Sequence, residues 1–267
     1  MPVLCLFDRM LTNTIFMIAS SDIPVHTHFK QNKHGRDLFV GDIHGNFSLL
    51  IHALKHLHFD KYKDRLFSVG DLTDRGEDSL HCLNLAKEKW FFPVLGNHEC
   101  FILERYDTDP YTRNTWMRNG GEWWLSLNHA EQEAARETIT SHYSLTLTVK
   151  VGDLRIGVVH AECPFARWPP EAPIDKESLK TMLWGRDDIL RSTGTHINNV
   201  DFVISGHTPL DSPKIKRNKI FIDTGCGYSS NNFIPDPRLS LCEFHPGSID
   251  IHSINMHDEK RIQFEII

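Results

Sequence analysis

The chain has 267 residues, 40% of them hydrophobic and 24% charged, with a formal net charge of -6. That balance excludes a disordered chain, which is poorer in apolar residues, and a general nucleic-acid binder, which needs clustered Lys and Arg that are not found here. The longest apolar run near the start, Thr14 to Ala19, is far short of a membrane span and Asp8 precedes it, so neither a membrane partner nor a signal peptide is expected.

Residues 1–36 mix polarity without a sustained period, and a poorly ordered arm is expected there, with His26, His28 and His34 falling in it by chance. Residues 37–267 are expected to form one domain, because single α/β domains of about 250 residues are ordinary. From Asp37 the run LFVG reads as a short buried strand, and Phe47, Leu50, Ile51, Leu54 and Leu57 then recur at helical spacing. The same unit repeats with RLFSV before GDLTDRG and FFPVL before GNHE, with a helix expected from Glu99. Strands alternating with helices imply parallel strands, which places the intervening loops at the carboxyl ends where open α/β sheets bind ligands.

Residues 112–142 read as helical, with AEQEAARETI a strong helix former and Trp116, Trp123 and Trp124 assigned to cap or core packing. From Leu145 the chain turns β-rich: LTLTVKV, LRIGVV, VDFVI, KIFID, RLSLCEF and RIQFEII are the candidate strands. The fold class expected is α/β, with two packed mixed sheets flanked by helices. Six scattered cysteines without a CxxC pair are expected to be reduced thiols in a cytoplasmic compartment.

Five loops each place a metal-type ligand just after an apolar run: GDIHG, GDLTDRG, GNHE, VVHAE and ISGHTP. Any single Gly-Asp or Gly-His pair is more often a turn than a ligand. Five in series converge on Asp42, His44, Asp71, Asn97, His160 and His207, a mixture of carboxylate, imidazole and amide oxygen that suits two neighbouring divalent cations. Asp71 is the expected bridge, with Asp42 and His44 on one ion and Asn97, His160 and His207 on the other. Hard oxygen donors mixed with imidazole, and no thiolate, point to Mn²⁺, Fe or Zn²⁺ without choosing among them; of the three, Mn²⁺ is the cofactor expected. Two carboxylates against two dications leave a net positive centre that attracts phosphate.

In this order the motifs GDxHG, GDxxDRG, GNHE, HAE and GH resemble the phosphoprotein phosphatase superfamily with the calcineurin-like metallophosphoesterase fold, over roughly Asp37 to Phe244. Within it NGGEWW, VVHAECP, LWGRD and FIDTG are most similar to the short bacterial and bacteriophage lambda type of serine/threonine protein phosphatase. The resemblance implies phosphomonoester hydrolysis of a phosphorylated protein by a metal-bridging hydroxide. It also implies His98 as general acid, Asp74 as its orienting partner, and Arg75 and Arg186 as phosphate clamps, Arg186 on the LWGR match alone. Symmetrical dinucleoside tetraphosphate hydrolases resemble the chain too, but typically carry Ala where Asp74 stands and Asp where Glu99 stands. A scaffold that binds partners without catalysis is the other reading, although such proteins usually lose a ligand and here every position is filled. The substrate walls are expected at Thr108 to Trp124, Pro164 to Pro173 and Tyr228 to Pro237; oligomeric state is not legible.

Overall fold

The computed structural model describes residues 15, 18–19, 22–104, 110–191 and 194–266. Two six-stranded mixed sheets organise them. In the first, β2 (Asp37–Val40), β3 (Arg65–Ser68) and β4 (Phe91–Pro93) run parallel, extended on one side by the antiparallel strands β10 (Leu239–His245), β11 (Ser248–Ile254) and β12 (Glu259–Glu265), in the order β12-β11-β10-β2-β3-β4. In the second, β6 (Leu154–Val159), β7 (Phe202–Ser205) and β9 (Lys219–Phe221) run parallel, with β1 (His26–Phe29), β5 (Thr146–Val151) and β8 (Lys214–Lys216) completing the order β1-β5-β6-β7-β9-β8.

The strand period of two sorts side chains between the faces. Phe39, Phe67, Val149, Ile156, Ile204, Ile220, Phe244 and Ile251 from both sheets meet in one buried cluster. Their neighbours Leu38, Val40 and Leu66 point the other way, into a second cluster shared with the helices. That cluster includes Leu50 and Leu54 of α1 (Phe47–His56), Leu83 of α2 (Ser79–Asn84), Ile102 of α3 (Asn97–Leu103), Trp116 of α4 (Pro110–Arg118), Ile139 of α5 (His129–His142) and Met182 of α6 (Lys176–Trp184). The result is the expected sandwich of two sheets flanked by helices. A seventh helix, α7 (Asp187–Leu190), is one turn long.

Four elements differ from expectation. The stretch 22–36, expected as part of a poorly ordered arm, supplies strand β1, which pairs in parallel with β5, and Ile23, which is fully buried. Pairing with a long neighbour, full burial of Ile23 and partial burial of Phe29 order a segment whose own periodicity is too short to announce it. Strand β11 (SIDIHSI) and the three-residue β8 are also additional, and β11 with β12 shows that the segment after Phe244 extends the first sheet. Helix α3 begins at Asn97, two residues before the expected Glu99.

Candidate metal and phosphate site

Each sheet contributes three parallel strands, and the loops leaving their carboxyl ends meet. From the first sheet come Asp42 and His44 after β2, Asp71 after β3, and Asn97 and His98 at the start of α3 after β4. From the second come His160 after β6 and His207 after β7. Of the eight non-glycine residues with positive φ among those described, five belong to these loops: His44, Asp71, Asp74, Arg75 and His207. A left-handed backbone costs an ordinary residue about 1–2 kcal/mol, and such strain gathers where the surrounding structure fixes a functional group. Glycine is required between them for space as well: a Cβ on Gly96 would lie 2.2 Å from Asp71 Oδ1, and one on Gly206 1.9 Å from Asp42 Oδ1.

Asp71 divides the donors into two sets. Its Oδ2 lies 3.8 Å from His44 Nε2, which in turn is 3.9 Å from Asp42 Oδ2. Its Oδ1 lies 3.5 Å from His160 Nε2, whose other neighbour, Asn97 Oδ1 at 2.9 Å, is also 2.8 Å from His207 Nδ1. The six expected ligands thus lie close to one another, His44 on the Oδ2 side of Asp71 and His160 on its Oδ1 side. Glu99, not a ligand, ties two of the loops: its carboxylate accepts from the main-chain N–H of Asp71 (3.0 Å), Leu72 (2.9 Å) and Gly96 (3.1 Å).

His44 and His98 lie equally near Asp71 Oδ2, at 3.8 Å, so distance alone does not separate ligand from acid. Their other ring nitrogens do. His44 Nδ1 faces the Thr73 carbonyl at 2.9 Å and His160 Nδ1 the Val69 carbonyl at 2.7 Å, so each presents an Nε2 lone pair to the centre. Burial, then the cation of Arg75, pushes His44 well below its ordinary value; burial likewise lowers His160, and burial with His160 and Arg186 lowers His207. Burial thus favours the neutral ring in all three.

His98 is different. Its Nδ1 lies 2.6 Å from Asp74 Oδ2. Burial opposes the charged ring, but the charge of Asp71, then the hydrogen bond and charge of Asp74, outweigh it and raise the pKa. These charges favour the protonated ring, and its Nε2 lies towards the centre, 3.8 Å from Asp71 Oδ2. Asp74 is fully buried, and its carboxylate also accepts from the indole N–H groups of Trp116 (2.8 Å) and Trp123 (2.6 Å). The tryptophans assigned to packing therefore also hold the acid's partner in place; only their spacing to Asp74, invisible in sequence, could have told.

Arg75 touches His44 Nε2, comes within 3.4 Å of His98 Nε2, and stacks over the Tyr228 ring at 4.1 Å. Arg186 Nε donates to His207 Nε2 at 3.3 Å. The two guanidinium groups therefore approach the centre from opposite donor sets. Beside Arg186 and His207 opens a cavity of about 600 Å³, lined also by Glu162, Glu177, Lys180, Thr181 and Trp184. This wall, formed by α6, lies outside the three expected segments; Tyr228 lies inside one of them, and Thr108 and Asp109 fall outside the described residues.

Asp223, after β9, was missed as a site residue although it repeats the pattern of an acid following an apolar strand. It is 1% exposed, with Oδ1 accepting from the Gly225 N–H at 2.9 Å and Oδ2 without a partner. Burial pushes it up to about 6, and burial together with Asp223 and Asp71 raises Asp42. Three buried carboxylates around neutral imidazoles, one oxygen orphaned, form a donor set that fits divalent cations. Five described cysteines are buried and free of disulfides. Burial raises Cys163 to about 11, so a thiolate nucleophile is disfavoured.

Comparison with known proteins agrees with this geometry. Residues 36–211 match the family described as calcineurin-like phosphoesterase. The chain is 35% identical over 191 residues to serine/threonine-protein phosphatase 2 of Escherichia coli, covering 70% of this chain and 85% of that one. It is 46% identical over 67 residues, 24% of each chain, to a symmetrical bis(5'-nucleosyl)-tetraphosphatase of Actinobacillus succinogenes. Among solved structures, a protein serine/threonine phosphatase from Saccharomyces cerevisiae aligns with a TM-score of 0.55 at 14% identity, over 95% of this chain and 89% of that chain, which bears on the fold alone.

Proposed function

Because the chain belongs to the calcineurin-like phosphoesterase family, we propose that it is a metal-dependent protein phosphatase that hydrolyses phosphoserine and phosphothreonine monoesters. Phosphotyrosine is a further substrate to be tested. The observation that carries this reading is the His98 and Asp74 pair at 2.6 Å, whose hydrogen bond and charge favour the proton-bearing ring. A serine alkoxide leaves poorly unless it is protonated as it departs, and a positioned general acid contributes about 10² to 10⁴ in rate.

Asp42, His44, Asp71, Asn97, His160 and His207 would hold two divalent cations, with Mn²⁺ the first choice and Fe or Zn²⁺ compatible with the same donors. When bound, the cations supply positive charge for the phosphate and lower the pKa of water so that hydroxide is available near neutral pH. The protein's own groups do the rest. Arg75 and Arg186 offer planar N–H forks to the nonbridging phosphate oxygens. His98 Nε2 delivers its proton to the leaving oxygen while Asp74, Trp116 and Trp123 hold the ring in line. No covalent phosphoenzyme is needed.

A symmetrical dinucleoside tetraphosphate hydrolase is the second reading, favoured by the local 67-residue similarity; Asp74 and Glu99 speak against it. The deciding experiment compares kcat/KM with Mn²⁺ on phosphoserine, phosphothreonine and phosphotyrosine peptides and on diadenosine tetraphosphate. Preference for the phosphoserine and phosphothreonine peptides supports the proposal. Preference for the dinucleotide would replace it, and inertness towards every substrate would favour a binding scaffold.

A further inference from the structure

The hairpin of β8 and β9 sets Lys216 directly opposite Lys219, two like charges on one face, which costs stability unless each has its own partner. Both reach α7, the short helix that follows Arg186. Lys216 Nζ donates to the main-chain carbonyls of Asp188 (3.3 Å), Ile189 and Arg191 (2.7 Å), acceptors that the end of a one-turn helix leaves open. Lys219 is only 3% exposed, and a lysine is almost never so buried unless it is paired. Its ammonium meets the Asp188 carboxylate and donates to Thr195 Oγ1 at 2.6 Å. Thr195 in turn donates to the other Asp188 oxygen at 3.2 Å. The Asp188 N–H is bonded to Glu162, two residues past His160, and a Cβ on Gly185 would lie 2.7 Å from the same Glu162 carboxylate.

Arg186 therefore follows Gly185, whose N–H donates to the Thr181 carbonyl at 2.9 Å, and stands two residues before the anchored Asp188. Its own side chain is exposed, with His207 Nε2 at 3.3 Å as a partner. A long exposed side chain has little packing to aim it, so its aim depends on the backbone beneath. A buried ion pair is weak evidence for stability, since apolar replacements are often neutral or better; what this pair does supply is a fixed position.

We propose that Lys219, acting through Asp188 and seconded by Lys216, is a positioning residue that aims Arg186 at the phosphate. This rests on the phosphate role given to Arg186 above. The test uses full-length wild type, Arg186→Ala, Lys219→Met and the double variant with saturating Mn²⁺. It reads kcat/KM on a phosphoserine peptide, the Ki of inorganic phosphate and the melting temperature. Lys219→Met should lower kcat/KM and raise the phosphate Ki about tenfold, as expected for a weakened charge-assisted contact. The double variant should be no worse than Arg186→Ala alone, because both changes remove one interaction.

Wild-type constants in Lys219→Met, or losses that multiply in the double variant, would overturn the proposal. If Lys219→Met shows no folded transition, Lys219→Met with Asp188→Leu takes its place, the buried pair being replaced by apolar groups. A folded form of that variant with wild-type phosphate Ki overturns the brace, and one matching Arg186→Ala supports it. An unchanged phosphate Ki in Arg186→Ala would remove the role of Arg186 itself, a failure distinct from that of Lys219 alone, and the brace would fall with it.

Discussion

His98 sits as near to Asp71 as His44 does, yet the two imidazoles face opposite demands because one has a carboxylate behind it and the other a carbonyl. The general-acid role predicts that His98→Asn slows hydrolysis of a phosphoserine peptide about 10² to 10⁴-fold. An aryl phosphate, whose phenoxide leaves without help, should lose far less; equal losses on both substrates would refute the role. Asp74 raises the His98 pKa by hydrogen bond and charge. A general acid works only while protonated, so kcat/KM should fall as pH rises through that raised value. Asp74→Asn removes the charge and weakens the hold on the proton, so the alkaline limb should move to lower pH. A limb that stays in place in a pH–rate profile would detach Asp74 from His98. The sequence places all these residues, but not the indole N–H groups that fix Asp74: Trp116 and Trp123 are 42 and 49 positions away, and only the fold brings them to it.

Each candidate ligand follows the carboxyl end of a parallel strand, so the spacing of these side chains is set by hydrogen-bonded register and by loops too tight for further side chains. Gly206→Ala tests this, because its Cβ would meet Asp42 Oδ1 at 1.9 Å and Val69 Cγ2 at 2.6 Å. The substitution should destabilise the fold by about 1–3 kcal/mol, as overpacking does, and weaken Mn²⁺ binding measured by calorimetric titration. Wild-type affinity would show that the loop has slack. Elements with a buried, repeated strand–loop–helix pattern were legible in sequence: β2, β3 and β4 carry four or three residues each, yet the motifs behind them fix their places. Strand β1 was not legible, since HTHF alternates weakly and owes its order to β5. Nor was β11, whose polar Ser248, Asp250 and Ser253 interrupt the apolar run although its faces are sorted by the sheet. Asp223 carries the same signal as the other acids, a carboxylate after the apolar run KIFI.

At the scale of the molecule, the two sheets are joined by a layer of aromatic and branched side chains lying beneath the loops that carry the candidate ligands. Phe67 is fully buried in that layer, its ring 5.0 Å from Phe29, 5.5 Å from Phe39 and 5.3 Å from Phe92. Phe67→Ala should cost about 3–5 kcal/mol in urea unfolding, the range for large aromatic truncations in a core. A cost under about 1 kcal/mol would mean that the layer is not packed as described. Because Asp71 and His160 come from different sheets, the centre reports directly on how the sheets meet. The most direct test of the account is the number of divalent cations bound per chain, measured by calorimetric titration with Mn²⁺ and by metal analysis, in wild type and in Asp71→Asn. Two cations are expected in the wild type, with loss of tight binding in the variant because both donor sets share that carboxylate. A wild type that binds none or one, or a variant that still binds two tightly, would contradict it.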